Sequence, residues 1–217
     1  LDLIVAPENL QEFVHCLLNY LHNQLIPKHA IEAVEFYNLL DDSPTPSVLK
    51  SSANSAGFST VEEVLQPSPY IKLPGDWEEY LNSIDKKQRH EIRRKMRRAA
   101  ESEIPVEVYF TAEKNRLDED IESFFNLMTQ DPEKLEFLTE AMREQFKRTI
   151  HIAFDAGVLQ MVFLVIDGVK AAAYLNLDYL NRVWVYNSGL DRRYMEYSPG
   201  WVLLGHLLKW ANENDRA

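Results

Sequence analysis

One cysteine, Cys16, among 217 residues leaves no partner for an internal disulfide, so the fold is held without cross-links, as suits a reducing cytoplasm. Apolar runs are all far shorter than the roughly 18 residues that a membrane-spanning helix requires. The opening Leu1-Asp-Leu-Ile-Val-Ala lacks the basic flank of a secretory leader and does not begin with methionine. The expectation is a piece of a longer protein, cut at both ends. No Gly-x-Ser-x-Gly elbow is present, and Cys16 lies far from the other polar candidates, so nothing indicates a covalent acyl-enzyme intermediate. His15, His22 and His29 recur every seven residues, yet Pro27 falls between the last two and no carboxylate completes a shell. A metal site is not expected. What remains, 46% hydrophobic and 26% charged, is a soluble globular chain with room for one large domain or two small ones.

Up to Gln66 the pattern reads as strand and helix in alternation. Leu1 to Val5 is a short strand, and Glu8 to Gln24 a helix built on Leu10, Phe13, Val14, Leu17, Leu18 and Leu21. Ala33 to Leu40 and Thr60 to Gln66 are strand candidates on either side of a helix from Pro46 to Ala56, which Gly57 stops. Such an order suits the tail of an α/β domain.

Charge is spread unevenly. Asp76 opens a helix with an acidic first turn, and the segment Lys86 to Arg98 then carries eight basic residues against Glu91 alone, a local charge of +7 in a chain of −11. Three readings stay open. The segment is a solvated helix pinned by Ile92, Met96, Ala99 and Ala100; or Arg93, Arg94, Arg97 and Arg98 bind the phosphates of a cofactor or an anionic acceptor; or they meet a nucleic acid such as tRNA. The remaining −18 repels a polyanion everywhere else, so any such contact is local.

Ile104 to Thr111 alternates as a strand, and Leu117 to Met128 and Leu135 to Ala156 have helical periodicity, the second ended by Gly157. Leu159 to Ile166, Val169 to Leu180 and Val183 to Leu190 are then three strands in a meander, turned by Asp167-Gly168 and Asn181-Arg182. After a polar loop comes Tyr197-Ser198-Pro199-Gly200, where Ser198 is a favoured N-cap and Pro199 suits a first helical position. The helix to Ala211 follows. Gly200 lets a ligand come close to the backbone at the helix end, where free N–H groups and the positive dipole end suit a phosphate. An ordinary structural helix can start the same way.

The order of these neighbours resembles the GNAT acyltransferases. Gly168-Val-Lys-Ala-Ala-Ala173, Tyr186-Asn-Ser-Gly-Leu-Asp191 and Tyr197-Ser-Pro-Gly200 are similar to the branch associated with cellulose and other exopolysaccharide biosynthesis, whose relatives include Fem-type aminoacyl transferases. The resemblance covers Ser68 to the end. It implies an α/β (α+β) fold with a mixed, mostly antiparallel sheet flanked by helices, in a domain of residues 68–217 truncated at its C-terminus. Residues 1–67 would be the end of a preceding GNAT-like half.

The family fingerprint Gln/Arg-x-x-Gly-x-Gly/Ala is reduced here to Gly200, with Tyr197 and Val202 in place of its outer residues. Carried onto this chain, it implies acetyl-CoA or another acyl-CoA as co-substrate, held by Leu190, Tyr197, Ser198, Gly200, Trp201 and Val202. Asp191 and Asn187 are the candidate catalytic groups, and the implied acceptor is an amino group of a sugar or other small molecule. The Fem-type relationship implies a charged tRNA instead, and the eroded fingerprint a fold that only binds a partner.

Overall fold

Helical periodicity governs the segment up to Tyr70. The computed structural model describes residues 2–65, 67 and 69–216, in two compact units, Leu1–Tyr70 and Ile71–Ala217. In the first, α1 (Leu10–Tyr20) runs through a π-helical turn, Leu21–Leu25, into α2 (Ile26–His29), and α3 (Thr45–Ala53) ends through a 3-10 turn at Gly57, φ +83°. Pro27 follows directly on the π-helical turn, whose Ile26 N–H reaches back to Leu21 O, and the chain keeps a helical path there instead of the expected interruption. Leu10, Val14, Leu18 and Leu21 form a small core with Ala56, while Phe13, expected on that face, is 41% exposed.

The strands expected at Leu1 to Val5, Ala33 to Leu40 and Thr60 to Gln66 do not form among the described residues, which hold no strand before Val106. Val34, Tyr37, Leu40, Val61 and Val64 have the composition of strands, but they stand exposed with no neighbouring strand to complete a ladder. Leu1, Gln66 and Ser68, the last being where the second domain was expected to begin, lie outside the described residues.

The second unit starts with α4 (Trp77–Ser83), capped by the Asp76 carboxylate, which accepts the Glu79 N–H at 2.7 Å. The basic segment is α5 (Lys86–Ala100), capped by Asp85. Then come β1 (Val106–Phe110), α6 (Leu117–Met128), α7 (Pro132–Phe137), α8 (Glu140–Asp155), β2 (Leu159–Ile166), β3 (Val169–Tyr179), β4 (Arg182–Leu190), a 3-10 segment Arg192–Tyr197, and α9 (Pro199–Glu213). The expected single helix from Leu135 to Ala156 is therefore two, because Leu138 leaves helical geometry and Thr139 caps a new start. No helix among the described residues is long and apolar enough to cross a membrane.

The sheet order is β1-β2-β3-β4, and all of its pairings are antiparallel, so no parallel pair of a mixed sheet occurs among the described strands. Both hairpin turns have two residues in the left-handed region, Asp167-Gly168 (φ 49° and 75°) and Leu180-Asn181 (φ 50° and 60°), the second one residue earlier than expected. Alternation along β2 sends Met161 and Phe163 to one face, against Phe124, Phe125, Phe146 and Ile150 of α6 and α8. Val162, Leu164 and Ile166 face the other way, against Val202 and Leu203 of α9. The result is helix, sheet, helix in three layers.

Two close approaches fix those layers. A Cβ at Gly189 would lie 2.4 Å from the Met128 backbone nitrogen, so β4 passes directly beneath the end of α6, and a Cβ at Gly205 would lie 2.9 Å from Met96 Sδ between α9 and α5. A buried polar knot ties α6 to the sheet: the Asp120 carboxylate, 0% exposed, accepts from Tyr109 Oη (2.8 Å), Thr111 Oγ1 (2.7 Å) and Lys170 Nζ. Burial, then that same hydrogen bond, pushes the Tyr109 phenol up to about 12.

Three outcomes are expected. Asp120→Ala strands the Lys170 ammonium and costs about 3–5 kcal/mol in urea denaturation, part of which Lys170→Met restores in the double variant. Gly189→Ala costs about 3 kcal/mol, because the obstructing atoms are backbone and cannot swing away. Burial lowers the pKa of His206, and Lys209 adds to the shift, so protonation favours the unfolded chain. Stability is then full above about pH 6.5 and declines below it, and a series of thermal midpoints for His206→Gln is flatter in that range.

Candidate active site

A recess of about 480 Å³ opens where the N-terminus of α9 meets α5 and the end of β4. Leu190, Ser198, Pro199, Gly200 and Trp201 line it, so four of the six expected donor contacts come together there. The other two do not. Tyr197 packs against the core on the α9 side of the sheet, and the Val202 side chain is fully buried in that core.

Local backbone geometry decides which N–H groups remain free. Ser198 adopts a left-handed conformation (φ 53°, ψ 51°) and makes no side-chain cap, contrary to the expectation from its residue type. Its N–H donates to Met195 O, and its carbonyl accepts the Val202 N–H at 3.1 Å. Pro199 has no N–H. The first-turn donors left without an intrahelical acceptor are those of Gly200 and Trp201, at the positive end of a 15-residue helix. A Cβ at Gly200 would point to Leu190 Cδ2 at 3.7 Å, another wall of the same recess. Glycine there leaves the recess open rather than relieving a clash within the fold.

Two further polar residues of the recess, Lys95 and Tyr174, were not among those singled out in the sequence, and Met195 and Leu204 complete its lining. Lys95 leaves the flank of α5, its side chain only 16% exposed, with Nζ 5.1 Å from the centre of the Trp201 ring and 3.6 Å from Glu91. It follows Glu91 by four residues and precedes the inward-facing Met96, a position that marks it as flanking the buried stripe. Tyr174 comes from β3, where it shares a face with Ala172, and burial raises its phenol pKa. Strand alternation alone places it on the α9 side.

The expected anion-binding arginines lie elsewhere. Arg93 pairs with Glu78 and Arg94 with Glu91, and the pairing lowers the pKa of that carboxylate. Arg97 and Arg98 are exposed, and with Lys86 and Lys87 they form no salt bridge among the described residues.

The candidate catalytic pair is also separated. Asn187 Oδ1 accepts the Ser188 N–H at 2.8 Å, next to the β-bulge that leaves Tyr186 unpaired between the partners of Leu175 and Asn176. Asp191 lines a second groove on the opposite face of the sheet from the α9 recess, and Gly189, covered by the end of α6, stands between it and Asn187. The Asp191 carboxylate caps the following turn at Arg193 N (2.9 Å) and accepts from the Arg193 guanidinium at 2.6–3.1 Å. Those bonds hold its pKa below the usual carboxylate range, so it is ionised at neutral pH and a weak base.

No curated protein matches the chain. Residues 86–217, more than half of it, match the model of the acetyltransferase (GNAT) domain. That match begins at the first residue of α5 and takes in every strand of the sheet and every residue of the recess. The chain belongs to the GNAT acetyltransferase family.

Proposed function

We propose that this protein is an N-acyltransferase that moves an acetyl or longer acyl group from acyl-CoA directly to an amino group of a sugar or another small acceptor. The observation that carries the reading is the recess itself, where the free N–H groups of Gly200 and Trp201, the positive helix end and the Lys95 ammonium converge beside a position kept open by glycine. A pyrophosphate matches that set. The assignment to the exopolysaccharide-associated branch rests on the wording of residues 168–173, 186–191 and 197–200.

In the transfer, the acceptor nitrogen attacks the thioester carbonyl carbon, the C–N bond forms, the C–S bond breaks, and the thiolate leaves as the ammonium gives up a proton. Tyr174 stays protonated through neutral pH and is the hydroxyl in the recess placed to donate to the acyl end of the donor. Asp191 positions the turn that leads to α9 and, being held acidic, leaves the amine proton to water. A second reading, use of an aminoacyl-tRNA, draws on four cations of the outer α5 face, Lys86, Lys87, Arg97 and Arg98, that form no salt bridge among the described residues.

Titration calorimetry with acetyl-CoA tests the donor. Gly200→Val is expected to weaken binding at least tenfold with a thermal midpoint within about 2 °C of the parent, because an added Cβ meets only Leu190 Cδ2, at an ordinary 3.7 Å. Lys95→Gln weakens it by roughly tenfold, the worth of one charge-assisted hydrogen bond. Absence of heat with acetyl-CoA would leave a fold that only binds a partner. Replacing Arg93, Arg94, Arg97 and Arg98 with glutamine spares acetyl-CoA binding, and a steep salt-dependent loss of tRNA retention in that variant would favour the second reading.

A further inference from the structure

The second groove, about 550 Å³, lies on the α6 face of the sheet and shares no lining residue with the α9 recess. One wall follows α6 and its flanks from Arg116 to Gln130, about 20 Å at a helical rise of 1.5 Å per residue. That length exceeds a single small ring.

Its polarity does not select an ion. Arg116, Lys170 and Arg193 are matched in number by Glu107, Glu119 and Asp191. Lys170 and Arg193 are, moreover, already engaged by Asp120 and Asp191. A phosphate or a lone carboxylate would meet as many carboxylates as cations.

What the groove offers instead is a series of planar groups with paired donors and acceptors. Asn126 and Gln130 expose side-chain amides on the helix wall, Arg116 lies over the Tyr109 ring at 5.1 Å with no carboxylate partner among the described residues, and Arg193 is 80% exposed beyond its bonds to Asp191. Between them the Tyr109 ring, Leu127, Val165 and Val169 give apolar surface. The matching ligand is uncharged, carries closely spaced groups that both donate and accept, has apolar C–H faces, and is longer than one ring. An extended peptide fits less well, since it is read through a run of free main-chain groups and this wall consists of helix side chains.

We propose that the groove along α6 binds a neutral oligosaccharide. The proposal does not depend on acyl transfer, because the groove and the donor recess are built from different residues.

Calorimetry or amide chemical-shift titration of the full chain with cellotetraose and maltotetraose tests it, with glucose, inorganic phosphate and tetraglycine as comparisons. At least one tetrasaccharide is expected to bind with a dissociation constant of about 1 mM or below, and at least tenfold more tightly than glucose. Asn126→Ala combined with Gln130→Ala, both at exposed positions, lowers that affinity at least tenfold and leaves the thermal midpoint and acetyl-CoA binding unchanged. Arg116→Gln weakens it independently. The proposal is overturned if neither tetrasaccharide binds, if the double variant binds them as the parent does, or if phosphate or tetraglycine occupies the groove more tightly. Because acetyl-CoA binding is read in the same samples, failure here is distinct from failure of the acyltransferase reading.

Discussion

The carboxylate of Asp120, removed from water and bonded from three directions, is the constraint on which the second unit depends. Its partners come from β1, from the residue that follows it, and from β3, so one carboxylate sets both the distance and the rotation of α6 on the sheet. A buried charge tolerates little displacement, since each lost bond exposes a large desolvation cost. With α6 held there, its end closes over Gly189, and β4 has to pass beneath it on the way to α9. The α9 recess and the polar groove are thus two sides of a junction whose geometry is set some distance away.

Much of the second unit was legible in the sequence because periodicity and physical chemistry agree there. The limits of α6 and β2 follow directly from their apolar patterns, and the turn at Asp167-Gly168 from its residue types. The break between α7 and α8 was not legible, because Phe137, Leu138, Met142 and Phe146 continue one apolar stripe across it. The first unit misled for a related reason. Val34, Tyr37, Val61 and Val64 have strand propensity, yet a strand needs a partner and none is supplied among the described residues.

At the candidate site, residue type and position separate. Ser198 is a favoured cap by composition, but its left-handed backbone turns its carbonyl, not its hydroxyl, to the helix. The basic segment is plain in the sequence, whereas which cation reaches the recess depends on how Gly205 seats α9 against Met96, and that rotation selects Lys95 rather than the arginines around it. Alternation gives Tyr174 a face of the sheet but no cavity, and Asn126 is marked only as an exposed helix position. They become neighbours of a cavity only when sheet and helices are assembled.

The bulge at Tyr186 has a further bearing on how the two cavities are divided. In a regular strand, residues separated by an odd number of steps lie on opposite faces, but the inserted residue lets Trp184, paired with Leu177, and Asn187, paired with Leu175, share one. Everything after it is shifted by one step in parity. Without that residue, Leu190 would turn toward α6 and Asp191 toward α9, exchanging an apolar wall of the α9 recess for a carboxylate beside the positive end of that helix. A single unpaired residue in the edge strand therefore keeps negative charge on the far side of the sheet from the N-terminus of α9.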